Sequence, residues 1–156
     1  MNGAIFFHYC DSESSGFEFD SFPFGKIPDG QILVADMSES ISTKPIDWSK
    51  HGVVYAGTKK QFGLDGLVIT IVRNDLIGKH RKDTPMMLEW EAYAKSPNTF
   101  PTTPSCWSIY MCGLNLEYML NLGGVNELNA RARARSELIY KFIDESNGYY
   151  TNNVES

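Results

Sequence analysis

Short apolar segments in the first half of the chain, followed by helix-length segments in the second half, constrain the fold more than any other feature. The apolar segments lie between polar or turn residues, and the last is rich in β-branched residues, so each predicts a strand. Their apolar and polar residues do not alternate cleanly, which is typical of a sheet covered on both faces. The sequence therefore predicts an α/β domain. The predicted strands are Ala4–Tyr9, Gln31–Asp36, Val53–Ala56 and Leu67–Val72.

The second half of the chain is predicted to be helical. Thr84 precedes a proline and favours the start of a short helix over Pro85–Ala94. After a proline-rich loop, Ser105–Leu122 predicts a helix that ends at two glycines. Asn126 can cap a last helix that runs to about Ser146. The core face expected for this last helix comprises Leu128, Leu138, Ile139, Phe142 and Ile143.

Composition and charge exclude several classes of protein. The net charge of −5 argues against a nucleic-acid-binding surface. The longest apolar run, Leu67–Val72, is too short to cross a bilayer, and no basic region precedes the first apolar stretch, so neither a membrane span nor a secretory signal is expected. Three cysteines without Cys-x-x-Cys spacing argue against disulfides and zinc, and His8 with Cys10 is an incomplete ligand set. We therefore expect a cytoplasmic protein without a metal site.

Asp36 and Lys60 are the polar residues with the clearest chemical meaning. Asp36 ends an apolar strand, at the kind of sheet edge where α/β proteins bind ligands. Lys60 lies between Gly57 and Gly63, which allow the backbone to approach a flat cofactor closely. Pyridoxal phosphate requires both groups: an amine that forms a Schiff base, and a carboxylate that keeps the pyridine nitrogen protonated. The alternative is a solvated lysine and an aspartate that satisfies a turn, and the pair alone leaves both interpretations open.

The sequence around this pair resembles the phosphoserine aminotransferases, which belong to the class V branch of the fold-type-I pyridoxal phosphate enzymes. The resemblance begins at about Tyr9 and covers the rest of the chain, with its blocks in order and almost without gaps. The most specific blocks are Leu33–Ser38, Lys44–Asp47, Gly52–Lys60, Ile71–Gly78 and Ile143–Tyr150.

The resemblance implies a fold and a division into domains. Residues 1–123 are expected to be the later part of a pyridoxal phosphate-binding large domain, and residues 124–156 a helix and the start of a C-terminal small domain. The large domain would contain a mostly parallel sheet with helices on both faces and one antiparallel strand, Leu67–Arg73. Because members of the family are much longer, the resemblance also implies that this is a partial sequence.

The resemblance further implies an activity in serine biosynthesis. Glutamate would transfer its amino group to the cofactor and become 2-oxoglutarate, and 3-phosphohydroxypyruvate would accept that group and become O-phosphoserine. Lys60 would form the Schiff base and carry the proton, while Asp36 would pair with the pyridine nitrogen. Ser14 stands where the family has a cofactor-contacting threonine. Thr102 and Thr103 match a pair that reaches the phosphate of the partner subunit's cofactor, which implies a homodimer.

Departures from the family pattern keep alternatives open. Lys59 replaces a glutamine that helps hold the cofactor phosphate, although an ammonium group can bind phosphate as a point charge. Thr102 replaces an asparagine and has a shorter reach. A truncated, non-catalytic relative that associates with a full-length subunit is therefore one alternative. Another class V enzyme, such as an alanine–glyoxylate aminotransferase or a cysteine desulfurase, is the other.

Overall fold

A four-stranded sheet organises the part of the chain that the computed structural model describes, namely residues 5–13, 16–95, 100–152. The sheet has the order β1-β4-β5-β6, and a separate hairpin pairs β2 with β3. The strands are β1 Phe6–Cys10, β2 Ser12–Glu13, β3 Phe17–Glu18, β4 Ile32–Asp36, β5 His51–Gly57 and β6 Val68–Val72. The α-helices are α1 Thr58–Gln61, α2 Trp90–Ala94, α3 Cys106–Asn121 and α4 Gly124–Asp144.

The sheet is parallel except at one edge. Strands β1, β4 and β5 run in the same direction, whereas β6 is antiparallel to β5. This confirms the mostly parallel sheet and the antiparallel strand that the family resemblance implies for Leu67–Arg73. Each of the four predicted strands is present with bounds that differ by one or two residues; Ala4, the first residue predicted for β1, lies outside the described residues.

The core lies on one face of the central strands. Leu33 and Ala35 of β4 and Val54 and Ala56 of β5 are buried, as period-two alternation requires for side chains on the same face. They are buried together with Phe62 and other residues from the segments that follow the strands. The other buried members of this cluster are Tyr9, Met37, Ile41 and Cys112.

Gly52 lies where the register between β4 and β5 shifts. A Cβ at this position would overlap the side chain of Ile32 on β4 and would press on Leu76. The Ile32 side chain fills the space that a side chain at position 52 would need, so the beginning of β5 requires glycine here.

The helices differ from the sequence prediction in three respects. Thr84 does not cap a helix over Pro85–Ala94; a short 3₁₀ turn and the five-residue α2 occupy this segment. Helix α4 begins at Gly124 rather than Asn126, because Gly123 takes a left-handed backbone (φ 116°) that lets the chain reverse directly after α3.

The expected core face of α4 is also wrong over its second half. Leu138, Ile139 and Phe142 are exposed, with 62–71% of their surface accessible. The apolar pattern correctly marks one face of a helix, but the described residues leave most of that face uncovered, with only the Tyr150 ring beside Phe142 at 5.6 Å between centroids. None of the helices in the described part of the chain is long and apolar enough to cross a membrane.

Candidate active site

The carboxyl ends of two neighbouring parallel strands bring the predicted residues into one region. Asp36 is the last residue of β4, and its register partners are Cys10 on β1 and Tyr55 on β5. Strand β5 ends at Gly57, and α1, which contains Lys60, follows at once. Parallel strands therefore place the carboxylate and the amine at the same edge of the sheet, which is where α/β proteins bind ligands.

Ser38 links these two strand ends. The Asp36 Oδ1 atom accepts hydrogen bonds from the Ser38 backbone N–H at 2.9 Å and from the Ser38 hydroxyl at 2.6 Å. The Ser38 Oγ atom in turn accepts a hydrogen bond from the Gly57 N–H at 3.1 Å. One hydroxyl therefore orients the Asp36 carboxylate and ties it to the residue that precedes α1.

Lys60 is held at the same turn by an ion pair. Its Nζ lies 3.3 Å from Oε2 of Glu39, and the Lys60 side chain is 44% exposed. The Gln61 side chain donates to the Glu39 carbonyl at 3.0 Å, and the Asn115 amide of α3 donates to the Gln61 carbonyl at 2.7 Å. These contacts fix α1 between the turn after β4 and helix α3, although α1 itself is only one helical turn long.

The other predicted cofactor residues are not gathered at this point. Lys59 is exposed beside Lys60 on α1, and has no ion pair within the described part of the chain. Thr102 and Thr103 are exposed in the loop before α3, and neither hydrogen-bonds to Asp36 or Lys60. Ser14 lies outside the described residues.

Sequence reasoning missed the aromatic group beside Asp36. His8, which we interpret from sequence as a buried structural residue, is instead exposed, and its Nε2 lies 2.9 Å from the Tyr55 hydroxyl. The two rings are stacked, with centroids 6.0 Å apart. Burial, and then the charge of the nearby Asp36 carboxylate, raise the pKa of Tyr55. Only the strand register, which a single sequence does not reveal, brings these residues together.

His51 is a second correction. Its place before a strand suggests a surface histidine, yet only 5% of its surface is exposed. Its Nε2 lies 2.8 Å from the Tyr9 hydroxyl and its Nδ1 lies 2.8 Å from the Asp47 carbonyl. A carbonyl can only accept, so Nδ1 carries a hydrogen and donates it to the Asp47 carbonyl. Burial, and then the charge of Asp11, raise the pKa of Tyr9.

Metal ligands do not cluster at this edge or elsewhere in the described ranges. No three histidine, cysteine, aspartate or glutamate side chains there are placed to hold a metal ion. The groups available at the strand ends are therefore a carboxylate, an amine, hydroxyls and an imidazole. This set can bind a proton-bearing nitrogen and a carbonyl carbon.

The fold is that of an α/β protein that places a carboxylate and an amine at the carboxyl ends of neighbouring parallel strands. Residues 22–156 match the aminotransferase class-V family, and the chain belongs to that family. A chloroplastic phosphoserine aminotransferase 2 of Arabidopsis thaliana is 42% identical to it over 153 residues, which are 97% of this chain and 36% of the relative.

Solved structures agree in fold. A phosphoserine aminotransferase from Bacillus circulans subsp. alkalophilus matches 99% of this chain and 42% of its own length with a TM-score of 0.90 and 33% identity. A phosphoserine aminotransferase from Trichomonas vaginalis, described as bound to pyridoxal phosphate, matches 96% of this chain and 43% of its own length. Its TM-score is 0.86 and its identity 29%. The chain thus spans between about a third and a half of the length of these proteins.

Proposed function

We propose that this chain supplies the lysine and the ring-nitrogen carboxylate of a pyridoxal phosphate-dependent phosphoserine transaminase. The reaction moves an amino group from glutamate to 3-phosphohydroxypyruvate and gives 2-oxoglutarate and O-phosphoserine, a step of serine biosynthesis. The observation that carries the proposal is the placement of Asp36 and Lys60 at adjacent ends of parallel strands joined through Ser38. The relatives are phosphoserine aminotransferases by name, which supports the choice of substrates.

The chemistry of the donor set fits this cofactor. The Asp36 carboxylate, with both Ser38 bonds on Oδ1, can accept a hydrogen bond from a protonated ring nitrogen. The Lys60 amine is partly exposed, and once it leaves Glu39 it could condense with the aldehyde carbon, whose oxygen would leave as water. When bound, pyridoxal phosphate withdraws electrons from the substrate carbon that carries the amino group. Lys60 is then the group placed to take a proton from that carbon and to return it.

Four further residues are proposed to hold the cofactor. Lys59, beside Lys60 on α1, would attract the phosphate as a point charge. Ser14, which lies outside the described residues, would contact the cofactor. Thr102 and Thr103 are exposed in the loop before α3, and they would reach the phosphate of a cofactor in a second subunit. Residues 1–123 would form part of the large domain and residues 124–156 would lead into the small domain.

Association with a second subunit has its own support. Helix α3 exposes large apolar side chains that a protein–protein interface would cover. Those more than half exposed are Trp107, Tyr110, Tyr118 and Leu120. We propose a homodimer, and the same observation favours the second candidate function, a non-catalytic relative that binds a full-length subunit. Light scattering of the protein alone and mixed with a full-length subunit separates the two.

The compartment belongs to the proposal as well. We propose the cytoplasm, because the three cysteines of the sequence lack the spacing of a disulfide framework and a reducing compartment suits them. The Arabidopsis relative is named as chloroplastic, so microscopy of a tagged protein is the deciding measurement.

Reduction of the bound cofactor tests the proposed function. The protein that carries this chain is incubated with pyridoxal phosphate, reduced with borohydride, digested and mapped by mass spectrometry. We expect the cofactor on Lys60, no attachment in Lys60→Ala, and retained attachment in the matched control Lys59→Ala. Amino transfer from glutamate to 3-phosphohydroxypyruvate is measured in the same samples. A protein that stays colourless, or that is labelled at another lysine, would show that the proposal is wrong.

A further inference from the structure

The sheet carries two tyrosine–histidine hydrogen bonds, one on each face. On the core face, Tyr9 of β1 bonds to His51 of β5 at 2.8 Å. On the opposite face, His8 of β1 bonds to Tyr55 of β5 at 2.9 Å. On β1 the faces differ because the adjacent residues His8 and Tyr9 point in opposite directions. On β5 the register shift opposite Leu33 and Val34 places His51 on the core face, although it precedes Tyr55 by four residues. Both pairs span the central strand β4, but only the second lies on the face that carries Asp36.

Register places Tyr55 beside the Asp36 carboxylate. Cys10, Asp36 and Tyr55 are partners across β1, β4 and β5, so their side chains emerge on the same face. His8 precedes Cys10 by two residues and shares this face. The titratable groups that face Asp36 are therefore His8 and Cys10 from β1 and Tyr55 from β5.

The direction of the hydrogen bonds follows from the available hydrogens. A tyrosine hydroxyl has one hydrogen and can accept from another donor. A carboxylate is a stronger acceptor than a neutral imidazole nitrogen, so Asp36, the register partner of Tyr55, is the preferred acceptor for the Tyr55 hydrogen. In that arrangement His8 carries its hydrogen on Nε2 and donates to the Tyr55 oxygen at 2.9 Å. Because burial and the charge of Asp36 raise the pKa of Tyr55, the hydroxyl stays protonated and remains a donor.

We propose that Tyr55, held by His8, is a positioning residue that donates a hydrogen bond to the Asp36 carboxylate, in addition to the two that Ser38 donates to it. This inference rests on the proposed function, since Asp36 is assigned there to the cofactor ring nitrogen. Hydrogen bonds to an ionised carboxylate favour its charged form and restrict its rotation. Tyr55 would thus keep Asp36 ionised and aimed at the ring nitrogen without touching the cofactor or the substrate.

A titration without cofactor tests the contact itself. The protein is labelled with ¹³C at the tyrosine Cζ position, and each ring is titrated by NMR in the wild type and in Asp36→Asn. The neutral amide removes the negative charge, so we expect the pKa of Tyr55 to fall. Tyr9 lies on the other face and serves as the internal reference, which should not change. An unchanged Tyr55 signal would overturn the inference.

Cofactor affinity tests the positioning role. Fluorescence titration with pyridoxal phosphate should show about tenfold weaker binding in Tyr55→Phe, the loss of one charge-assisted hydrogen bond. Tyr9→Phe removes the equivalent bond on the other face and should bind as the wild type does. His8→Gln keeps a donor and should bind more tightly than His8→Leu.

The outcomes separate the two proposals. If the wild type does not bind pyridoxal phosphate, the proposed function fails and this inference fails with it. If the wild type binds and Tyr55→Phe binds equally well, only the inference fails. If Tyr55→Phe and Tyr9→Phe lose affinity to the same extent, the effect is one of general stability and the positioning role is refuted.

Discussion

Lys44→Met should destabilise the chain strongly, because it removes the cation beside a buried carboxylate. Asp11 is 2% exposed, and its Oδ2 lies 3.1 Å from the Lys44 Nζ and 2.6 Å from the Ser40 hydroxyl. Lys44 also pairs with Glu18 at 3.3 Å and donates to the Phe19 carbonyl. Lys44 is therefore the cation that compensates a negative charge already withdrawn from water.

The expected loss of stability follows from the Asp11 charge that Lys44→Met leaves uncompensated. Breaking a buried ion pair by removing one partner costs about 3–5 kcal/mol, because the remaining charge is uncompensated. The Lys44 side chain is 22% exposed, so water screens part of the interaction and the lower end applies. We expect the free energy of unfolding to fall by about 3 kcal/mol. Asp11→Asn in the Lys44→Met background should recover part of this loss, since no buried charge remains.

Urea denaturation followed by tryptophan fluorescence measures the effect. Lys82→Met is the matched control, because Lys82 is exposed and forms no ion pair within the described part of the chain. We expect this control to lie within about 0.5 kcal/mol of the wild type, as is usual for surface substitutions. If Lys44→Met matched the control, or if Asp11→Asn lowered stability further in the Lys44→Met background, the assignment of Lys44 as the essential counter-charge would be wrong.

Three further perturbations test other contacts. Gly52→Ala should lower the free energy of unfolding by about 2 kcal/mol in the same denaturation assay, because the new Cβ would overlap the Ile32 side chain. Unchanged stability would refute this overlap. Cys112 is buried, and burial raises the pKa of its thiol. A thiol reagent should therefore modify exposed Cys106 first and Cys112 only on unfolding, as followed by mass spectrometry. Equal rates of modification at the two cysteines would contradict this. Ser38→Ala removes both bonds of its hydroxyl and should lower stability by about 1–2 kcal/mol, whereas Ser38→Thr should retain most of it.

The sequence predicts the sheet better than the helices, for a physical reason. A parallel strand buried on both faces is a short apolar run between turns, and this signal is local. The apolar face of α4 is also a local signal, but burial depends on the surface that packs against it. Leu138 and Phe142 therefore look like core residues in the sequence and are exposed in the structure. The start of α4 depends on the left-handed Gly123, which the sequence alone marks only as a helix stop.

The candidate site likewise contains residues that the sequence predicts and residues that it does not. Asp36 and Lys60 are predictable because each stands at the end of a recognisable strand or turn. Tyr55 and His8 are not, because their contact depends on the register of three strands and crosses 47 positions of sequence. His51 is missed for a similar reason, since its partner Tyr9 lies two strands away. Residue type and spacing indicate the chemistry of a site. The long-range pairing of strands decides which neighbouring side chains contact the site residues.

In the turn between β4 and Lys44, three consecutive residues each contact a different charged residue. Ser38 bonds to Asp36, Glu39 pairs with Lys60, and Ser40 bonds to buried Asp11. Each residue thus faces a different partner. A shift of the turn by a single residue would break all three contacts at once.

The backbone fixes the register of this turn. The Met37 N–H donates to the Tyr55 carbonyl, and the Met37 carbonyl accepts from Ser40 and Ile41. Ser42 then takes a left-handed backbone (φ 73°), which is uncommon for a residue with a side chain. A strained residue persists when surrounding contacts determine its conformation. We infer that the contacts holding Asp36, Lys60 and Asp11 keep Ser42 in this conformation, so that stability and the proposed cofactor site depend on the same short segment.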